Sequence, residues 1–206
     1  MLLWWGVACL VLATGLGALV AFGFDTTPGF DSWWNDLVAG IRSDGMIAFA
    51  SVLNAVGGGW IAIYAIPLLV IIAFLLARRW RTAVFVAVCF LGSAAIVQVL
   101  KHVFGRARPE DMLVASDFGS FPSGHAANAA TIAVVAWVLF PRVWVAVVGV
   151  LWIIAMALSR TFLSVHWASD TLGGALVGIG VVLIFAAWLL PWVQRRRRAV
   201  PAAPIS

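Results

Sequence analysis

Six apolar stretches separated by short polar breaks occupy most of the chain. A helix needs about 20 apolar residues to cross the hydrocarbon core of a bilayer. That measure predicts spans at Leu2–Phe24, Gly59–Ala77, Thr82–Phe104, Gly124–Phe140, Val143–Leu163 and Asp170–Val193, the fourth being short. Pro67 within the second predicts a kink and not a stop, because a neighbouring helix can satisfy the carbonyl that proline frees. The first stretch reads as a retained helix. It lacks a basic leader, it is long for a signal-peptide core, and no small-x-small cleavage pattern precedes Asp25.

The segment from Asp25 to Gly58 is more than a loop. Trp33, Trp34, Leu37, Val38 and Ile41 recur at helical spacing, with Asp36 and Arg42 among the polar positions, and Met46–Val56 is apolar but short. Both pieces read as interfacial helices at the headgroup level, where Trp is favoured. The run Gly57-Gly58-Gly59 marks a turn before the second span. The expected fold is all-α: a polytopic membrane protein of six transmembrane helices with short interfacial helices after the first span. It forms one domain over residues 1–206, without a linker or an internal repeat.

Composition narrows this further. The chain is 64% hydrophobic and only 10% charged, whereas soluble domains carry about 25% charged residues. Lipid must therefore be the solvent for much of the surface. The net charge of +5 does not point to nucleic acid, because the basic residues fall in short runs between apolar segments with no aromatic-interleaved stripe. Cys9 and Cys89, both inside apolar runs, read as small hydrophobes.

Orientation follows from Lys and Arg in short loops. Arg78, Arg79, Arg81, Arg142 and Arg195 to Arg198 all fall on the side that holds both termini, which is expected to be cytoplasmic in a cell inner membrane. The other face carries the acids Asp25, Asp31, Asp36, Asp44, Glu110, Asp111, Asp117 and Asp170. It also carries Arg42, Lys101, Arg106, Arg108 and Arg160, a second set of cations that breaks the charge rule.

Chemistry accounts for them. The end of span three (Lys101 to Pro109), the start of span four (Pro122-Ser123-Gly124-His125) and the link from five to six (Ser159 to Asp170) meet at that one level. Lys101, Arg108 and Arg160 suit a dianionic ligand, since guanidinium forks match phosphate oxygens. Ser123 and Gly124 open a helix whose free N–H groups attract anions, and Gly124 permits close approach. His125 and His166 can exchange protons near neutral pH. If the stretch is helical, Asp170, four residues after His166, lies within hydrogen-bond reach to orient the imidazole. His-x3-Asp also has metal-ligand spacing, but further neutral ligands are lacking and the cations would repel a metal, so no cofactor is expected. His102 and Arg106 read as loop or interface residues.

In this order and on successive spans, K-x6-R-P, P-S-G-H and S-R-x5-H-x3-D resemble the type-2 phosphatidic-acid phosphatase superfamily, which includes bacterial membrane lipid phosphatases and, more distantly, soluble vanadium-dependent haloperoxidases. The matching positions are Lys101, Arg108, Pro109, Pro122, Ser123, Gly124, His125, Ser159, Arg160, His166 and Asp170. The resemblance implies that His166 attacks phosphorus to give a phosphohistidine and that Asp170 orients it. It implies that His125 protonates the leaving oxygen and then activates water. Lys101, Arg108, Ser123, Gly124 and Arg160 would stabilise the phosphoryl oxygens without a metal. Ala168 stands where many relatives have Pro.

The expected partner is a lipid phosphate drawn from the bilayer on the extracytoplasmic side: undecaprenyl diphosphate, phosphatidylglycerophosphate or phosphatidic acid, with the isoprenyl diphosphate favoured. A phosphotransferase using the same histidine and a non-catalytic lipid-binding or transport protein are the alternatives. The short gap from Pro109 to Pro122 leaves the Asp25 to Gly58 region as the only sizeable cover, expected to shape the lipid entrance.

Overall fold

The computed structural model describes residues 1–24, 26–58 and 61–194. These form eight helices: α1 (Leu2–Phe22), α2 (Gly29–Ile41), α3 (Asp44–Gly57), α4 (Ile66–Leu76), α5 (Trp80–Phe104), α6 (Gly124–Leu139), α7 (Val143–Phe162) and α8 (Ala168–Gln194). A π-helical turn over Ile61–Ala65 leads into α4. The protein is an all-helical, multi-pass membrane protein. α1, α5, α7, α8 and the stretch Asp44–Leu76 are long and apolar enough to cross a bilayer. At 16 residues α6 is ~24 Å long, short of the ~30 Å hydrocarbon core. The predicted start of the second span at Gly59, Asp25 and the arginines from Arg195 to Arg198 lie outside the described residues.

Lipid is written on the outer surface. Trp4, Leu12, Leu69, Leu76, Val143, Leu151 and Trp188 are all exposed, a density of bare apolar side chains that water would not tolerate. α8 is the hub and packs on α1, α5, α6 and α7, with α2 at its first turns. Between lipid-solvated helices there is little hydrophobic drive to associate, so close contact between small residues does the work. A Cβ on Gly174 would lie 2.3 Å from the Ser123 carbonyl oxygen, and one on Gly178 equally close to that of Ala127. Ala126, Ala127 and Ala130 complete this seam from the α6 side. It holds the start of α6 beside the start of α8, where Ser123 N–H donates to the Asp170 carbonyl at 2.9 Å.

Pro67 acts as its lack of an N–H requires. In a π-turn the carbonyl of residue i pairs with the N–H of i+5, and for Ala62 that residue is Pro67. The Asn128 side-chain amide on α6 donates to the Ala62 carbonyl instead, at 3.2 Å. Apolar layers run through the bundle from Phe85, Val86 and Val182, through Val97, Ala127 and Val177, to Val20, Phe104 and Phe121. The last layer, with Phe104 and Phe121, lies next to the motif segments.

Gly178→Val tests the seam. The new side chain would strike backbone, which cannot swing aside, so the variant should lose about 1–3 kcal/mol and melt several degrees lower in detergent. An unchanged melting curve would mean that α6 and α8 are not pressed together there.

Candidate active site

Four helix ends meet above that layer: the end of α5, the start of α6, the end of α7 and the start of α8. α5 stops at Gly105, whose φ of 53° is a left-handed conformation that glycine adopts freely. In its last turn Lys101 is buried, and its ammonium donates to the Gly119 carbonyl at 2.7 Å, the Phe118 carbonyl at 3.3 Å and Asp117 Oδ1 at 3.2 Å. Gly119, at φ 68°, turns its carbonyl toward both Lys101 and Arg108. The Arg108 guanidinium reaches Asp117 Oδ1 at 2.7 Å, the Gly119 carbonyl at 2.8 Å and the Val165 carbonyl. Asp117 was counted in the sequence only as one acid of this face. It is the shared counter-ion of two expected phosphate-binding cations, yet its side chain is 60% exposed. Burial pushes its carboxyl up, but the charges and hydrogen bonds of Lys101 and Arg108 outweigh this and hold it below the usual range.

His166 does not sit in a helix with Asp170, as its spacing suggested. α8 begins only at Ala168, and His166 lies in the turn between α7 and α8. Its Nδ1 is 3.5 Å from Asp170 Oδ2, beyond ordinary hydrogen-bond length. The tautomer can still be read. Arg108 Nη1 stands 3.2 Å from His166 Nε2, and a guanidinium can only donate. Nε2 is therefore the acceptor, and in the neutral ring the proton is on Nδ1, facing the carboxylate. Burial first, then the charges of Arg108, Arg160 and Lys101, hold this imidazole well below its ordinary range and keep it neutral.

Ser123 caps α6, its hydroxyl accepting from Ala126 N–H at 3.4 Å. Among the described residues, a Cβ on Gly124 would meet only Val97, at 3.8 Å, which leaves room over that backbone. Next to it, His125 packs against Gly58, where an added Cβ would fall 1.7 Å from His125 Nε2. Arg160 is almost fully buried, and its Nη1 donates to Asn54 Oδ1 on α3. Asn54 escaped the sequence reading, its only signal being an amide inside an apolar helix. Among the described residues six buried side-chain nitrogens lack a partner, and three of them are His125 Nε2, Arg160 Nε and His166 Nδ1.

Arg106 lies in the loop after α5, as expected, but its partners were not legible in the sequence. It is 8% exposed and joins Asp170 Oδ1 at 2.6 Å to Asp31 Oδ2 at 2.7 Å. Asp31, on α2, gave no signal in the sequence beyond its charge. His102 stays exposed on α5, against the Gln98 carbonyl.

Taken together, these features define a polytopic helical membrane protein with a buried cluster of cations at one end, two imidazoles beside them and, among the described residues, unpartnered side-chain nitrogens. Such a cluster fits an oxyanion such as phosphate. The sequence comparison adds the family: residues 82–196 match the PAP2 superfamily, and the chain belongs to it. It is 26% identical over 162 residues to a lipid A 4'-phosphatase of Bacteroides thetaiotaomicron, covering 68% of this chain and 66% of that protein. It is 29% identical over 125 residues to a putative undecaprenyl-diphosphatase of Escherichia coli, covering 57% and 63%. The chain thus spans just under two thirds of the length of these two relatives. The crystal structure of a PAP2-type phosphatidylglycerolphosphate phosphatase from Bacillus subtilis shares the fold, with a TM-score of 0.74 at 22% identity over 95% of this chain and 98% of that one.

Two outcomes are expected from this geometry. His166 stays neutral as pH falls through its ordinary value of 6.5, so kcat/KM for phosphate release should show no acid limb there; a limb centred at that pH would contradict the buried setting. Asp117→Asn removes the carboxylate that competes for Lys101 and Arg108. It should tighten competitive inhibition by inorganic phosphate severalfold, whereas weaker inhibition would mean that Asp117 organises the cations.

Proposed function

We propose that this protein hydrolyses a lipid phosphate or diphosphate through a phosphohistidine on His166. The observation that carries the reading is the position of buried His166, its Nε2 3.2 Å from Arg108 Nη1 and its Nδ1 toward Asp170. Nε2 attacks phosphorus and the P–O bond to the lipid breaks. His125 gives its proton to the departing oxygen. Lys101, Arg108, Arg160, Ser123 and the Gly124 N–H offset the charge on the phosphoryl oxygens. The Nδ1 proton faces Asp170, which stabilises the imidazolium that forms. His125, now neutral, takes a proton from water, whose oxygen attacks phosphorus and releases phosphate with His166 restored.

The names of the relatives support a lipid phosphate as substrate: lipid A, undecaprenyl diphosphate and phosphatidylglycerolphosphate. An isoprenyl diphosphate is the first to test, because the segments that border the site among the described residues, such as residues 105–121, are short. The proposed location is the extracytoplasmic face of a bacterial inner membrane, with the termini in the cytoplasm. The positive-inside rule supports it, since Arg78 and Arg79 before α5, Arg81 in its first turn and Arg142 before α7 all lie at helix ends remote from the site.

The test is phosphate release in detergent with excess EDTA from undecaprenyl diphosphate, phosphatidylglycerophosphate and phosphatidic acid. Wild-type release should persist in EDTA and fall by at least about 10³-fold in His166→Ala. Release from none of the three by folded protein would reject the hydrolase reading.

A further inference from the structure

We infer that helix α2 is a positioning element for the nucleophile, acting through Asp31 and Arg106 on Asp170. The inference rests on His166 being the nucleophile. Arg106 Nη1 donates to Asp170 Oδ1 at 2.6 Å and to Ser169 Oγ at 2.8 Å, while its Nη2 donates to Asp31 Oδ2 at 2.7 Å. Asp31 also accepts from Ser169, from its N–H at 3.0 Å and its hydroxyl at 2.6 Å. The guanidinium lies over the Trp167 ring, 5.6 Å from its centroid. None of the three charged side chains is more than 6% exposed.

This cluster sets both the orientation and the charge of Asp170. Oδ1 is held by Arg106 and Oδ2 accepts from Trp167 N–H at 2.8 Å, so the carboxylate cannot rotate. Its Oδ2 is thereby kept facing His166 Nδ1 across 3.5 Å. The charge follows from the count: one guanidinium lies between two carboxylates, which leaves the cluster with a net negative charge. Without Asp31, the whole charge of Arg106 would fall on Asp170 and offset the anion that the developing imidazolium needs.

The other end of α2 grips the same loop. Arg42, which caps α2, donates to Ser164 Oγ at 2.7 Å and to Asp111 Oδ2 at 2.9 Å, and Ser164 Oγ donates to that same Asp111 oxygen at 2.9 Å. Ser164 has a φ of 51°, a left-handed conformation costly for a residue with a side chain, so the loop benefits from being held there. His166 lies between two serines, Ser164 and Ser169, each tied to one end of α2.

Asp31→Asn tests the role at nearly constant volume, since asparagine can still accept from Ser169. Its kcat should fall about tenfold, in the range seen when groups that orient a reacting residue are removed. KM and the inhibition constant for inorganic phosphate should stay within about twofold, because Lys101, Arg108 and Arg160 are untouched. Arg106→Lys should retain more activity than Arg106→Met, with the same separation of kcat from phosphate affinity. If Arg106→Met fails to fold, Asp31→Asn alone decides. A wild-type kcat in Asp31→Asn, or parallel losses in kcat and phosphate affinity, would overturn the inference while His166→Ala remained inactive. Phosphate release that survives His166→Ala would instead sink the nucleophile reading and this inference with it.

Discussion

A charge at the low-dielectric end of a helix bundle must have a partner, and the arrangement of the motif face follows from that requirement. Five cations gather there, and the structure compensates them unequally. Arg106 is locked between two buried carboxylates, Asp31 and Asp170. Arg42 pairs with Asp111 at the rim. Lys101 and Arg108 share Asp117, an exposed carboxylate that a ligand can displace. Among the described residues Arg160 has only the neutral amide of Asn54, and its Nε has no partner there. The cations thus divide into a permanent set and an exchangeable set. The exchangeable ones are those that surround His166, and so the shortfall in negative charge lies where a phosphate would sit.

Much of the architecture was legible in the sequence because bilayer thickness is so strict a ruler. Leu2–Phe24 against the observed Leu2–Phe22, and Thr82–Phe104 against Trp80–Phe104, differ by a turn or less. The site residues were legible by type, since a lysine, arginines and histidines clustered at helix ends have few bland explanations together. What could not be read was partnership. Arg106 was rightly read as a loop residue, but its role depends on Asp31 and Asp170, 75 and 64 positions away. Asn54 meets Arg160 across 106 positions. No periodicity encodes such pairs; they appear only once α2 and α3 have folded over the bundle.

His166 and Asp170 show the limit of a local rule, whose stated condition the structure does not meet. Spacing of four implies a shared helix face only when both residues are helical, and α8 starts two residues after His166. A histidine in a turn is not aimed by a helix, so other contacts must aim it. Apolar support comes from α3, whose Ala50 and Ile47 pack on Leu163 and Val165. Polar support comes from α2, through Ser164 on one side and Ser169 on the other. This gives the segment after the first span a second task besides covering the site.

The choice of ion pairs over apolar packing for that task has a physical reason. Apolar contacts are nearly isotropic and would fix the depth of the loop without fixing the rotation of a carboxylate. The fork of Arg106 constrains direction as well as distance, and the direction of Asp170 Oδ2 is what His166 Nδ1 meets. Burying three charges is costly, and such clusters contribute little net stability when compared with apolar replacements of the same shape. A cluster retained at that cost, beside the proposed nucleophile and reaching a helix that contributes none of the proposed phosphate-binding cations, is better explained by orientation than by stability.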